Sequence, residues 1–274
     1  MGNFNSDQAE GLRRMLAGPK PRIVSLLSAL SIEEKSATLV NLATSLTRAG
    51  SDVLLFDACS ASNGLAQRLG VARVATLMQV ARQERGLNEV IQQTVQGFGV
   101  GTMTRESMLG MLQDVDQARR LSNAFSVLAT QSDIVLVDAE LNADDEFPVP
   151  AMATGEIVVQ VSGSSTAITS AYAIIKRLNT QLGRRPFGLL VSGATDVEAQ
   201  RIYENIARTA RRYLAVELQL IGAVPFDADL RRAVQLGRPV VDAFPMAGAA
   251  VAFRRMAGQL LGCADNRRQM PQPA

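Results

Sequence analysis

The stretch Ile23-Val24-Ser25-Leu26-Leu27-Ser28, continued by Ala29-Leu30-Ser31-Ile32-Glu33-Glu34-Lys35-Ser36 and a helical pattern ending at Gly50, decides the fold. Residues 23–27 are a short, nearly continuous apolar run, the mark of a strand buried on both faces. Residues 35–49 carry the spacing of an amphipathic helix, and Gly50 is its stop signal. The same strand–loop–helix unit recurs outward from here. Further apolar strands are expected at 53–56, 134–137, 157–161, 187–191 and 219–224. Helices are expected across 64–92, 105–130, 166–181, 196–213, 228–236 and 247–262. Apolar strands alternating with helices predict an α/β fold, a doubly wound, mostly parallel sheet covered on both faces. One domain is expected over 22–262. It is preceded by a helical arm (1–18) and a stiff linker (19–21), and followed by a disordered tail (263–274).

Composition narrows the chemistry. The chain has 274 residues and no histidine, which removes Ser-His-Asp hydrolysis and histidine-ligated metals together. Its two cysteines, Cys59 and Cys263, stand far apart in no zinc-like spacing, so reduced thiols are expected and no metal site is. The formal net charge of +2 gives no argument for a dedicated nucleic-acid surface. No segment has the form of a signal peptide or the length of a membrane span, so a cytoplasmic location is expected.

In such a sheet, ligands sit at the carboxyl ends of the strands. Residues 28–36, 57–63 and 138–146 all follow strands there. The first of these has the order of a phosphate-binding loop and keeps its terminal Lys35-Ser36. Lysine would reach phosphate oxygens and serine would hold magnesium. Lys-Ser alone is a weak signal. The spacing of Ser28, Lys35, Asn41-Leu42-Ala43, Gly50, Val53 and Asp57 is more specific, and it resembles the MinD/ParA family of P-loop ATPases without a gap. Asp133-Ile134-Val135-Leu136-Val137-Asp138, Thr166 to Lys176 and Ile221-Gly222-Ala223-Val224-Pro225-Phe226-Asp227 resemble later family segments. Asp7-Gln8-Ala9-Glu10-Gly11-Leu12-Arg13 is similar to the arm of the FlhG/FleN branch, which regulates flagellar number and placement.

The resemblance implies ATP or ADP with magnesium, with Lys35, Ser36, Asp57 and Asp138 as the residual nucleotide-binding residues. The departures from the family pattern imply binding that is weak or absent. Ala29, Ser31, Ile32 and Glu34 stand at the glycine positions, and Leu30 replaces the lysine that would cross an ATP-bound dimer. Residues with a Cβ disfavour the left-handed turns of such a loop. Glu33 and Glu34 place carboxylates near the phosphates, at roughly 1–4 kcal/mol per charge pair. Cys59 replaces the aspartate that orients water, and Ser192 the asparagine that reads adenine. ATPase activity, expected from the family, is therefore expected to be lost or very weak, with no catalytic residue of its own.

The arm points to a partner instead. In the FlhG branch it docks on the SRP-type GTPase FlhF, which assigns GTPase activation to Asp7, Gln8, Leu12 and Arg13. Flagellar switch proteins or a flagellar transcription activator are further partners implied for the core, and a homodimer is another. Only weak membrane contact is expected, at the cell pole or inner membrane, and no direct nucleic-acid contact. Two alternatives stay open: an ATP-dependent dimerisation switch with an unusual loop, and a ParA-like DNA partition protein.

Overall fold

The computed structural model describes residues 20–59, 65–71, 75–104, 115–142 and 144–268. The arm, with Asp7, Gln8, Leu12 and Arg13, and the linker residue Pro19 lie outside the described residues.

Strand β1 (Arg22–Ser28) runs up the middle of an eight-stranded sheet and leads into helix α1 (Ile32–Arg48). Strand β2 (Val53–Asp57) follows, then two short helices, α2 (Leu65–Arg68) and α3 (Leu77–Ala81), a 3-10 turn at Leu87–Glu89, and strands β3 (Gln92–Gln93) and β4 (Gly99–Thr102). Helix α4 (Val115–Ala129) precedes β5 (Ile134–Asp138), and a 3-10 turn at Pro150–Ala153 precedes β6 (Glu156–Ser162). The chain continues through α5 (Ser165–Leu182), β7 (Phe187–Ser192), α6 (Asp196–Leu214) and β8 (Leu218–Val224). It closes with α7 (Ala228–Gln235), α8 (Val240–Ala243) and α9 (Gly248–Arg268).

The strand order is β3-β4-β2-β5-β1-β6-β7-β8. Every pair is parallel except β3 with β4, as a doubly wound sheet requires. In β1, Leu27 packs on one face with Val135, Val159 and the α5 side, while Val24 and Leu26 pack on the other with Leu39, Leu42 and Phe253. That two-sided burial is why the strand reads as continuous apolar sequence. Gly155 permits the entry to β6, because a Cβ there would lie 2.0 Å from the carbonyl oxygen of Ile23.

The middle of the chain differs from expectation. The described residues between 64 and 92 form not one helical region but two short helices and a 3-10 turn. Positive φ at Gly70 and Gln83 ends each helix. Strands β3 and β4 were not expected, because Gly99-Val100-Gly101 lacks strand propensity. The glycines are there for fit. A Cβ on Gly101 would lie 3.0 Å from the Phe56 ring, and one on Gly99 would lie 2.8 Å from Ile91. Helix α4 starts only at Val115 among the described residues, within the expected 105–130.

Helix α9 continues to Arg268, past the expected start of a disordered tail at 263. Gly262 does not end the helix, because glycine inside a helix costs only about 1 kcal/mol, and no proline follows until Pro271.

Asn41 ties the layers together. Buried on α1, it accepts from the Val240 amide at 2.7 Å and donates to the Ala37 carbonyl at 2.8 Å. It thereby caps α8, whose own first residue has no side-chain cap. Asn41→Leu would leave the fully buried Val240 amide unpaired, at about 1–3 kcal/mol. Calorimetry should show a melting temperature lowered by several degrees; an unchanged one would refute the capping role.

Candidate functional site

The carboxyl ends of β1, β2 and β5 bring Lys35, Asp57, Cys59 and Asp138 together. Asp57 and Asp138 are register partners on neighbouring strands, and both are buried. Two carboxylates so placed need a cation. Lys35 supplies it from the first turns of α1. Its ammonium pairs with Asp138 Oδ1, donates to the Ala139 carbonyl at 2.6 Å and lies 3.6 Å from Cys59 Sγ. Burial pulls the Lys35 ammonium down, but Asp138 and the other groups around it outweigh burial and hold it above the usual lysine range.

The loop above this cluster is short, and the chain's own groups fill it. Helix α1 begins at Ile32, earlier than the expected 35. Ser31 caps it, accepting from the Glu34 amide at 3.3 Å, and Glu34 reaches back to the Ser31 amide at 3.3 Å and the Ser31 hydroxyl at 3.0 Å. This reciprocal box consumes amides at the end of the helix where an anion would dock. Glu33 turns away to pair with Arg68 at 2.7 Å, and that hydrogen bond holds its carboxyl below the usual range. No described residue from 28 to 36 has positive φ, so the loop lacks the left-handed turns that a phosphate cradle uses. A cavity of about 300 Å³ remains between Leu30, Ile32, Lys35, Glu140, Leu141 and Arg177.

Ser36 is buried with its hydroxyl unpaired, so it is not committed in the way Lys35 is. No cation stands near Cys59 in sequence. In space Lys35 does. Burial still dominates and raises the thiol well above its ordinary range, which makes it a poor nucleophile. The ligand atoms of Asp57, Cys59 and Asp138 lie within 4.8 Å of one another, but the Lys35 ammonium already sits against two of the three residues.

Sequence reasoning missed Gln160. Fully buried on β6, it donates to Thr38 and to Ser192, both at 2.9 Å, and joins α1 to β7 behind the loop. The only sequence signal was a polar residue inside an apolar strand. Ser192, noted as a departure, is thus the partner of a second departure.

Removing one member of a buried pair costs about 3–5 kcal/mol, whereas replacing both by apolar groups is often nearly neutral. Lys35→Met should therefore lower the unfolding midpoint strongly, and Lys35→Met with Asp138→Leu should recover most of the loss. Because the folded-state value of Lys35 is raised, its contribution is complete below the unfolded lysine value of about 10.4. It is lost only as pH climbs through the higher folded value. Denaturant titrations should show the Lys35→Met deficit constant from pH 6 to 9, and a deficit that grows with acidity would contradict the pairing.

Comparison with known proteins agrees with this architecture. Residues 33–240 match the family model described as the CobQ/CobB/MinD/ParA nucleotide binding domain, so the match begins beyond Ala29–Ile32. The antiactivator FleN of Pseudomonas aeruginosa is 31% identical over 229 residues, covering 81% of this chain and 80% of FleN. MinD from Aquifex aeolicus superposes with a TM-score of 0.66 at 18% identity, over 92% of this chain and 100% of that one. MinD from Pyrococcus horikoshii, solved with Mg-ADP, gives 0.66 at 19%, over 91% and 100%. This chain belongs to the MinD/ParA nucleotide-binding family, in its FlhG/FleN branch.

Proposed function

We propose that this protein regulates flagellar number or placement through protein contacts and does not hydrolyse ATP. The observation that carries this reading is the Lys35 ammonium held by Asp138 and Ala139, beneath a helix end already capped by Glu34. A triphosphate would have to displace Glu34, break the Lys35 pair and find turns that Ala29, Ser31 and Ile32 do not make. The residues present do not fit it, and Cys59 supplies no carboxylate to orient water.

The regulatory part rests on likeness to FleN and on the Asp7-Gln8-Ala9-Glu10-Gly11-Leu12-Arg13 string. Leu12 has apolar companions in Met15 and Leu16 on a segment too short to hold a helix alone in water. Such a segment gains order by docking in a partner groove. In this reading the groove belongs to the SRP-type GTPase FlhF. Asp7 starts the helix and Arg13 docks it, while the Gln8 carboxamide orients the attacking water. The core would serve flagellar switch proteins or a transcription activator.

The competing ATP switch keeps one observation in its favour: Lys35, Ser36, Asp57 and Asp138 still share one sheet edge. Turnover separates the two. Phosphate release from ATP and magnesium should equal that of the Lys35→Ala variant, and activity that the substitution abolishes would refute the proposal.

The arm has its own test. A peptide of residues 1–18 should raise the GTPase rate of FlhF from the same organism. Gln8→Ala should remove stimulation while binding persists, and Leu12→Ala should weaken binding itself. Stimulation that survives Gln8→Ala would contradict the role of Gln8.

A further inference from the structure

A second surface lies away from Lys35, where β8 ends and α9 begins. Asp227 accepts from the Asp229 amide at 2.8 Å and from the Ala249 amide at 2.9 Å, so one carboxylate caps α7 and α9 together. The flanking apolar residues face outward. Phe226 is 71% exposed, Met246 87% and Val251 49%. Beside them a cavity of about 240 Å³ opens between Ala194, Pro225, Val251, Ala252 and the Asp196–Arg255 pair.

The rim of this surface is cationic. Arg231 stacks over Phe226 at 4.5 Å, Arg232 lies over Phe244 at 5.4 Å, and Arg254 donates to the Pro245 carbonyl at 2.7 Å. Pro225 and Val251 line the same cavity, Phe226 follows Pro225, and Arg254 reaches the carbonyl of Pro245 beside Met246, so these residues neighbour one another. Residues 225–255 hold five arginines and three aspartates. Asp227 is committed to its two caps and Asp242 to Arg48, while Arg231, Arg232 and Arg254 are exposed. With Asp196 paired to Arg255, the exposed Arg231, Arg232 and Arg254 outnumber the remaining carboxylate, Asp229, and exposed apolar side chains beside a small cavity with such a cationic excess mark a protein contact.

We propose that this face docks a segment of a partner protein that carries an apolar side chain flanked by carboxylates. The apolar side chain fills the cavity against Pro225 and Val251, and the carboxylates meet Arg231 and Arg254. A cavity beside the protruding residues favours a peptide side chain over a lipid surface, which has nothing to place there. This inference stands apart from the arm and from the state of Lys35.

The test is photo-crosslinking with benzoylphenylalanine in place of Met246 in the full chain, in the source cells, with Val127 on α4 as the control position. Mass spectrometry should find a crosslinked partner segment with Leu, Ile, Met or Phe among Asp and Glu. Exposed rim pairs are individually weak, so Arg231→Glu with Arg254→Glu should cut the yield about tenfold. Arg231→Ala, the milder variant, should cut it less, and melting temperatures should stay unchanged. Crosslinks to lipid, to a second copy of this chain or to segments without carboxylates would overturn the proposal. So would a yield that the arginine variants leave intact, or one no higher than at Val127.

Discussion

The carboxyl edge of this sheet depends on the ammonium of Lys35. Parallel pairing sets Asp57 opposite Asp138 in a buried layer. Isolated charges at such depth are expensive. Lys35 meets that need from the first turns of α1 and also satisfies the Ala139 carbonyl. One side chain thus fastens the start of α1 to the ends of β2 and β5. An amine so placed is already spent, and the account of function follows from that.

The remainder of the fold does not require the loop to bind anything. Val24 and Leu26 pack on α1 and α9, Leu27 packs on the opposite layer, and Asn41 and Asp227 satisfy helix ends across elements. Ala29 and Leu30 add apolar contacts to the Leu27 layer, but the helix-end caps at Asn41 and Asp227 do not involve residues 29–34. Glycines could therefore be replaced in the loop without loss of the sheet, provided the helix end found another partner. Ser31 and Glu34 are that partner, and the family architecture persists around them.

The central strands were legible because double burial leaves an apolar signature, as in 23–27 and 134–137. Helix ends were legible where glycine marked them, as at Gly50. The edge strands were hidden, because the residues that define β4 are glycines chosen to clear Phe56 and Ile91, and clearance leaves no periodic pattern. At the site, the family resemblance, together with the rule that ligands sit at the carboxyl ends of the strands, pointed to Lys35, Asp57 and Asp138. It could not show where the lysine points, since that depends on the distance across β5. The reach of Gln160 to Ser192 was equally invisible, as it joins strands that are distant in the chain.

The most direct measurement is the melting temperature of the full chain with and without millimolar ATP and magnesium. A ligand present at a hundred times its dissociation constant adds about 2.7 kcal/mol of stability. If the Lys35 ammonium is held by Asp138 and the helix end by Glu34, the midpoint should not move. A rise of several degrees that disappears in Lys35→Ala would show that the pair opens to admit nucleotide, and would contradict the account.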